Sequence, residues 1–262
     1  MSADDLSAAA ITDNLGTSFI GKKVIYFPRL ASTMEIARRE AEQGAAGGTV
    51  IIAGEQSEGR GRLKRTWLSP AGNIALSVIL YPNVSHLPYL VMLASLAVAY
   101  SIESVTGLKT QIKWPNDVLV NGKKVCGILT ASLVRGDRVI YAIAGIGINV
   151  SLKAADFPEI SATATSLNDE LGKDVSRVDI IRHLLVEMER LYLILPHGET
   201  IYQEWRERLI TLGKKVHVAS GSSMLEGVAE SVDGNGALLL RHADGSSTVI
   251  LAGDVTLRHK QN

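Results

Sequence analysis

Residues 59–67 form a short stretch whose side chains could hold an anion. Residues 59–65, GRGRLKR, contain four cationic side chains and two glycines, and a tryptophan, Trp67, follows shortly after. Glycine lets the backbone approach a ligand closely, and the planar guanidinium of arginine offers paired donors that match carboxylate and phosphate oxygens. Taken alone, such a run is also typical of a basic surface turn or a nucleic-acid-binding patch.

A second polar group follows a predicted strand. Residues 113–117, KWPND, combine a lysine, a proline that fixes the backbone and two side chains able to accept hydrogen bonds. An Asx turn that only joins two strands would look the same. A lysine at a strand end also places a point charge against a carboxylate or phosphate, so the two basic elements together indicate an anionic reactant.

A third segment, GIGIN at residues 145–149, ends another predicted strand. Its glycines could simply permit close packing or a bulge. A backbone that comes close to a flat ring, followed by an asparagine amide, also suits the recognition of adenine. The segment is neither a dinucleotide-binding GxGxxG fingerprint nor a phosphate-binding P-loop.

The bulk composition argues against several classes of protein. The 262-residue chain has 27 Lys plus Arg and 27 Asp plus Glu, so its net charge is zero and no overall attraction to nucleic acid or to an anionic membrane is expected. The single cysteine, Cys126, lies in an apolar run, which is typical of a buried core residue in a reducing compartment. The six histidines show no metal-ligand spacing, and no GxSxG motif is present.

Two features concern the location of the protein. The N-terminus lacks a basic start followed by an apolar stretch, so no secretion signal is predicted. We interpret the apolar residues 89–101 as too short, and too broken by serine and tyrosine, to span a bilayer. The sequence therefore predicts a cytoplasmic protein with no membrane partner.

The spacing of apolar residues predicts a mixed α and β chain. Strands are predicted at residues 23–27, 49–53, 73–81, 112–114, 118–120, 124–134 and 138–148. One helix is predicted to start at Ser32 or Thr33 and to stop at Gly44. Further helices are predicted at residues 86–105, 177–195 and 201–212. Hairpin turns at residues 121–122 and 136–137 make the central strands an antiparallel meander.

The pattern of predicted elements changes at Gly213. Short strands are predicted at residues 215–218, 224–231, 237–241 and 247–251, separated by glycine-containing turns, which is typical of a small β-barrel. We therefore predict a lead-in at residues 1–22, a large domain at residues 23–212 and a barrel at residues 213–262.

Four segments, taken together and in this order, resemble the biotin protein ligase family: GRGRLKRTW, KWPNDVLV, KKVCGIL and GIGINV, followed by the small barrel. The resemblance runs from about residue 23 to the C-terminus. It implies an α+β fold, with a class II aminoacyl-tRNA synthetase-like mixed sheet flanked by helices and a C-terminal SH3-like β-barrel. It also implies a ligase that joins biotin to ATP with Mg²⁺, forms biotinyl-5′-AMP and pyrophosphate, and transfers biotin to one lysine of a biotin carboxyl carrier domain.

The resemblance also carries expectations about assembly. With only about 22 residues ahead of the first predicted strand, the chain resembles the short class without an N-terminal DNA-binding domain, so no nucleic-acid partner is expected. Members of the family often pair, which makes a homodimer through the central sheet possible.

The family's functional residues transfer onto matching positions of this chain. Arg62 and Lys113 match the catalytic pair that handles the biotin carboxylate and the phosphate. The biotin-binding positions are Ser32, Thr33, Gln56, Gly59, Arg60, Gly61, Arg62, Lys113, Gly127, Ile128, Leu129 and Gly145. The ATP- and adenylate-binding positions are Arg60, Arg62, Arg65, Trp67, Asn116, Asp117, Gly147 and Asn149. The metal ligands are not identified.

Three positions depart from the family pattern. Met34 stands where asparagine often follows the serine and threonine, Lys64 where the loop commonly has another glycine, and Ala131 where an acidic residue is common. The first departure should leave the pocket intact, the second should stiffen the loop, and the third puts a polar contact in doubt.

Two other functions stay open at this point. A lipoate ligase or another acyl-adenylate transferase would share the fold, although GRGR and the barrel argue against it. A non-catalytic protein or repressor that holds biotinyl-adenylate as a signal belongs to a different class.

Overall fold

The computed structural model describes residues 6–220 and 223–257. The ends of the predicted lead-in and barrel, residues 1–5 and 258–262, and the pair 221–222 lie outside these ranges. The larger sheet has seven strands in the order β1-β2-β3-β7-β6-β5-β4. Its strands are β1 Val24–Phe27, β2 Val50–Ala53, β3 Ile74–Leu80, β4 Thr110–Lys113, β5 Asp117–Val120, β6 Lys123–Arg135 and β7 Arg138–Ile148.

The sheet is mixed because its first pair is parallel and the others are antiparallel. Every residue of β2 and β3 is buried, including Ser77 of β3. For β2 this fits its continuous apolar sequence. Asn121 and Gly122 have positive φ angles of 50° and 79°, the conformation of a type I′ turn. This turn joins β5 to β6 and fixes their pairing, as the sequence predicts.

Six α-helices accompany the sheet in the described residues. They are α1 Ala8–Thr12, α2 Thr33–Glu42, α3 Tyr89–Thr106, α4 Leu167–Leu171, α5 Arg177–Leu193 and α6 Gly198–Glu207. Helix α2 packs on β2, β3 and β7, whereas α3 packs on α5, α6 and the central strands. The helices and the mixed sheet confirm the predicted α+β class.

Helix α3 corrects two details of the sequence interpretation. It begins at Tyr89 rather than at residue 86, because residues 84–86 form a separate 3₁₀ turn and Pro88 precedes the helix. It is also 18 residues long with a mean hydropathy of 1.5, enough by length and composition to cross a membrane. However, 61% of it is buried inside the protein, and it is the central helix of the core.

The second sheet has five antiparallel strands in the order β11-β10-β9-β8-β12. These strands are β8 Lys215–Ser220, β9 Ser223–Val232, β10 Leu238–Arg241, β11 Ser247–Ile250 and β12 Asp254–Leu257. The first four were predicted, but β12 was not. It pairs with β8, with Asp254 opposite Ala219.

The two sheets are joined by a shared core and by specific hydrogen bonds. The indole N–H of the buried Trp114 donates to the carbonyl of Gly236 at 2.8 Å, and the Tyr202 hydroxyl donates to the carbonyl of Val232 at 2.7 Å. Apolar residues of the second sheet, including Val216 and Leu240, belong to the same hydrophobic cluster as α3. Strand β12 is therefore held at a defined place beside the larger sheet.

The segment before β1 is tied to the core through Glu189 of α5. This buried carboxylate accepts hydrogen bonds from the backbone N–H groups of Ser18, Phe19 and Ile20. Burial by itself raises the pKa of Glu189, but the three backbone donors outweigh burial, and the net pKa lies below its usual value. The charged form is therefore favoured in the folded protein.

Replacing this carboxylate should change how stability depends on pH. Because the folded-state pKa of Glu189 is depressed, its contribution is present above the unfolded-state pKa and is lost as pH falls through the folded-state pKa. Glu189→Gln should therefore lower the free energy of unfolding by about 2 kcal/mol near neutral pH and by much less in acid. Urea unfolding at both pH values measures this, with Glu187→Gln, which breaks a surface pair with Arg190, as the control. An equal loss at both pH values would contradict the account.

Candidate functional site

A cavity of about 660 Å³ opens where the larger sheet meets β12. Its walls come from the start of α2, residues 60–68, the ends of β4 to β7, residues 159–164 and β12. The cavity brings together all the predicted site residues except Gly59: Ser32, Thr33, Gln56, Arg60, Gly61, Arg62, Arg65, Trp67, Lys113, Asn116, Asp117, Gly127, Ile128, Leu129, Gly145, Gly147 and Asn149.

Gly59 lies at the base of the basic loop, outside the cavity lining. Its carbonyl accepts a hydrogen bond from Trp67 N at 2.8 Å, and a Cβ at this position would lie 2.3 Å from the carbonyl oxygen of Trp67. A second bond joins Gly61 N to the carbonyl of Arg65 at 2.8 Å. Residues 59–67 are therefore a closed loop, and Gly59 shapes it without facing the cavity.

The tip of this loop has an unusual backbone. Leu63 and Lys64 have φ angles of 54° and 61°, in the left-handed region that side chains other than glycine adopt at a cost. A glycine would occupy the position of Lys64 without that cost. Lys64 therefore adopts a conformation that it disfavours, and the stiffening of the loop stays a prediction.

Each arginine of the loop has its own acceptor. Arg60 lies 3.6 Å from Glu35 of α2, and Arg65 lies 2.6 Å from Asp254 of β12. Arg62 donates instead to the neutral amide oxygen of Asn116 at 2.9 Å. The Asn116 amide is oriented for this because its nitrogen donates to the carbonyl of Ile128 at 2.8 Å.

Arg62 is the most desolvated of the three. Burial lowers its pKa, and the negative charges of Asp117 and Asp254 oppose that effect. A guanidinium stays charged in a protein, so partial burial against a neutral amide leaves a cation that gains from an anion in the cavity. This arrangement supports the predicted catalytic role of Arg62.

Lys113 ends β4 at the edge of the cavity and faces Asp117 of β5. Its Nζ lies 3.8 Å from Asp117 Oδ2, whereas Lys124 Nζ lies 2.6 Å from Asp117 Oδ1. The two strands pair with Lys113 directly opposite Asp117. One buried carboxylate is thus shared by two lysines.

A polar cluster lies at the start of α2. Gln56 Oε1 accepts from both Thr33 N, at 2.8 Å, and Thr33 Oγ1, at 3.1 Å, and Ser77 Oγ donates to Thr33 Oγ1 at 2.9 Å. Ser32 occupies the N-cap position, as predicted, but makes no side-chain capping bond. Its buried hydroxyl has no hydrogen-bond partner in the part of the chain that the structure describes. That hydroxyl is available to a polar group of a ligand.

Trp67 packs directly against the sheet because the strands beneath it carry glycine. A Cβ added to Gly147 would come within 2.3 Å of the indole, and one added to Gly127 within 3.0 Å. These two glycines are directly opposite each other on β7 and β6. Further along β7, a Cβ on Gly145 would lie 2.4 Å from the sulfur of Met34, so the departure at Met34 fills space over a third glycine.

Asn149 has a partner within the protein. Its amide donates to the carbonyl of Thr165 at 3.1 Å, and its backbone N–H donates to the carbonyl of Val125 at 2.7 Å. One N–H of the Asn149 side-chain amide is therefore already used, in a bond that holds Thr165 beside the cavity. Its predicted role in adenine recognition depends on the remaining amide atoms.

Sequence reasoning missed four charged or polarisable residues of the cavity lining: Met34, Lys124, Glu159 and Asp254. Met34 was noticed only as a departure from a pattern. Lys124 lies inside the KKVCGIL segment, where its charge was the available signal. Asp254 lies on the unpredicted β12, and its position depends on the packing of the second sheet. Ala131, by contrast, is exposed on β6 and lies outside the lining.

Comparisons with known proteins agree on one family. The family model described as the biotin/lipoate A/B protein ligase family matches residues 26–149, and the biotin protein ligase C terminal domain matches residues 211–258. The bifunctional ligase/repressor BirA of Bacillus subtilis is 38% identical over 253 residues, covering 94% of this chain and 78% of the relative. A biotin–(acetyl-CoA-carboxylase) ligase of Paracoccus denitrificans is 34% identical over 215 residues, covering 79% of this chain and 89% of the relative.

Solved structures give the same answer. The biotin protein ligase from Aquifex aeolicus in complex with biotin and ATP superimposes with a TM-score of 0.76 at 29% identity, covering 91% of this chain and 100% of that one. The ligase from Leishmania major in complex with biotinyl-5-AMP has a TM-score of 0.61 at 26% identity, covering 88% and 99%.

The contact between Gly147 and Trp67 gives a direct test of the site geometry. In Gly147→Ala the new methyl group would overlap the indole, so Trp67 must move away from the sheet. We expect a red-shifted fluorescence emission in a chain whose other tryptophans, Trp114 and Trp205, are replaced by phenylalanine. Gly234→Ala, where the added Cβ meets nothing within 4 Å, is the control. Identical spectra for Gly147→Ala and its parent would contradict the described position of Trp67.

Proposed function

The chain belongs to the biotin protein ligase family, and from this premise we propose that it joins biotin to ATP, giving biotinyl-5′-AMP and pyrophosphate. We propose that the biotin is then transferred to a lysine of a biotin carboxyl carrier domain. The observation that carries the proposal is that one cavity is lined by the GRGR loop, by Lys113 and by Gly127, Gly145 and Gly147, which we call the glycine floor. Relatives named for ligation to acetyl-CoA carboxylase support the choice of acceptor.

The chemistry explains why the cavity is rich in cations. The biotin carboxylate must attack the α-phosphate of ATP although both groups are negative. Fixed positive charges reduce this repulsion and stabilise charge that develops on the phosphate oxygens. We assign this role to Arg62 and Lys113, with Arg60 beside them. Partial burial of Arg62 and its neutral partner Asn116 support the assignment.

The remaining lining divides into two groups in the proposal. For biotin we propose the polar cluster at α2 and the apolar and glycine positions beyond it: Ser32, Thr33, Gln56, Gly127, Ile128, Leu129 and Gly145. The unpartnered hydroxyl of Ser32 supports this half, since a buried polar atom is normally satisfied. For the adenylate we propose the residues around the indole: Arg65, Trp67, Asn116, Asp117, Gly147 and Asn149. We propose that Gly59 and Gly61 shape the loop, residues 59–67, that covers both the biotin and the adenylate.

Mg²⁺ enters the proposal with the nucleotide. The described residues contain no group of three or more side chains suited to holding a metal ion, and the carboxylate of Asp117 is already engaged by two lysines. The cavity lining therefore suits a Mg²⁺ ion that is held mainly by the phosphate oxygens of the nucleotide, as Mg²⁺ commonly is. When bound, it would neutralise phosphate charge, while the arginines and Lys113 orient the reacting groups.

The proposal has a structural and a cellular side. We propose the division into residues 1–22, 23–212 and 213–262, supported by the separate sheets and by the match at residues 211–258.

We propose a cytoplasmic location, for which the single buried cysteine is consistent evidence. We also propose a homodimer through the central sheet, whose terminal strand β1 is only partly buried. Zero net charge gives no reason to add a nucleic acid or a membrane.

Biotin-dependent exchange of labelled pyrophosphate into ATP tests the first half-reaction. The wild-type chain should exchange with biotin and not with lipoate, and it should label a carrier domain with biotin. Lys113→Ala should lower the exchange rate by about 100-fold or more, the usual effect of removing one group that stabilises transition-state charge. Lys173→Ala, at an exposed lysine outside the cavity, should exchange normally. Normal exchange by Lys113→Ala would refute the assignment.

Arg62 should matter most after the intermediate has formed. Arg62→Ala removes the cation that we place against the adenylate phosphate, so the variant should release biotinyl-5′-AMP early. Rapid gel filtration of enzyme loaded with labelled biotin and ATP measures how long the intermediate stays bound. Arg38→Ala, at a surface pair on α2, is the control. Equal retention by wild type and Arg62→Ala would show that Arg62 does not hold the intermediate.

A further inference from the structure

Lys124 is a charged residue of the cavity lining to which the proposed reaction gives no role. It lies on β6, and its Nζ contacts Asp117 Oδ1 at 2.6 Å. The same ammonium lies 5.4 Å from the centre of the Trp67 ring, within the range of a cation–π contact. Lys124 thus contacts two of the residues that we place around the adenylate.

The backbone of Lys124 is fixed from outside the sheet. Its N–H donates to the carbonyl of Thr163 at 2.8 Å, and its carbonyl accepts from Thr165 N at 3.0 Å. The side chain then passes over β6 toward Asp117, next to Gly127. A Cβ on Gly127 would lie 3.3 Å from both Cε and Nζ of Lys124, so the absence of a side chain at Gly127 makes room for this path.

Asp117 has two lysine neighbours at unequal distances. Lys124 lies 2.6 Å from one carboxylate oxygen, and Lys113 lies 3.8 Å from the other. The Asp117 side chain is only 10% exposed, so solvent does little to screen its charge. Because the attraction between charges falls with distance, Asp117 attracts Lys124 more strongly than it attracts Lys113.

We propose that Lys124 is a positioning residue which occupies Asp117 and so leaves Lys113 available to the anionic reactants, while supporting the edge of Trp67. The inference rests on the proposed function, because it names what keeps the catalytic lysine free. Without Lys124, Asp117 would hold the Lys113 ammonium more tightly. Lys113 would then meet a carboxylate of the protein instead of the carboxylate and phosphate of the reactants.

A double-mutant comparison on the full-length chain tests whether Lys124 keeps Asp117 from pairing with Lys113. Lys124→Gln should lower kcat/KM for biotin-dependent pyrophosphate exchange by about 10- to 100-fold. Asp117→Asn removes the competing carboxylate together with any contact of Asp117 with the adenylate, so this single variant is the reference. Adding Lys124→Gln to it should cost at least about 5-fold less in kcat/KM than adding Lys124→Gln to wild type. Lys123→Gln, at the exposed neighbouring lysine, should stay within about 2-fold of wild type.

A second measurement reads the state of Lys113 without any turnover. Trace acetylation followed by mass spectrometry reports the reactivity of each lysine amine. Lys113 should be labelled more slowly in Lys124→Gln than in wild type, because its ammonium is more tightly paired, and its labelling should recover in the double variant. This readout separates the inference from the proposed function, since it holds whichever acid the protein activates.

Three results would overturn the inference. Unchanged kinetics in Lys124→Gln would show that Lys124 positions nothing. An equal loss on adding Lys124→Gln to wild type and to Asp117→Asn would show that Lys124 acts by touching the reactants or by supporting the fold. Equal acetylation of Lys113 in wild type and Lys124→Gln would show that Asp117 does not compete for it. Failure of the wild-type chain to exchange with biotin, with the acetylation pattern as expected, would instead refute the proposed function alone.

Discussion

Positive charge concentrated in one cavity is the constraint around which the rest of the structure is arranged. Arg60, Arg62, Arg65, Lys113 and Lys124 all line this cavity, and like charges at such distances repel. Acceptors from separate elements offset them before any ligand binds: Glu35 from α2, Asn116 from the turn between β4 and β5, Asp117 from the start of β5, and Asp254 from β12. The fold must therefore bring distant parts of the chain to one place.

The glycine floor is the second requirement, and the sheet supplies it through register. Gly127 is paired with Gly147, and Gly145 is paired with Ser77 on one side and Leu129 on the other. A flat ring and a thioether can rest on this surface because no side chain projects from it. The same antiparallel pairing sets the Asp117 carboxylate beside Lys113. The position of this charged pair and the absence of side chains on the glycine floor therefore both follow from the register of β3 to β7.

Sequence reasoning identified the segments that line the cavity, because glycine, arginine and lysine leave local signals. GRGR, KWPND and GIGIN all reach the cavity, and Asn121-Gly122 forms the expected turn. Pairings between distant residues could not be foreseen. The contact of Arg65 with Asp254 needs the short, unpredicted β12. The closer approach of Lys124 to Asp117 joins β6 to β5, whose pairing has a register shift between Val118 and Leu119. Neither has a periodic signature.

The most direct test is a crystal structure of the chain soaked with biotin and ATP. The account predicts one biotinyl-adenylate in this cavity, with its phosphate within hydrogen-bonding distance of Arg62 and Lys113, its adenine beside Trp67 and its biotin ring beyond Thr33. An adenylate bound elsewhere on the protein, or bound here with neither Arg62 nor Lys113 near the phosphate, would contradict it.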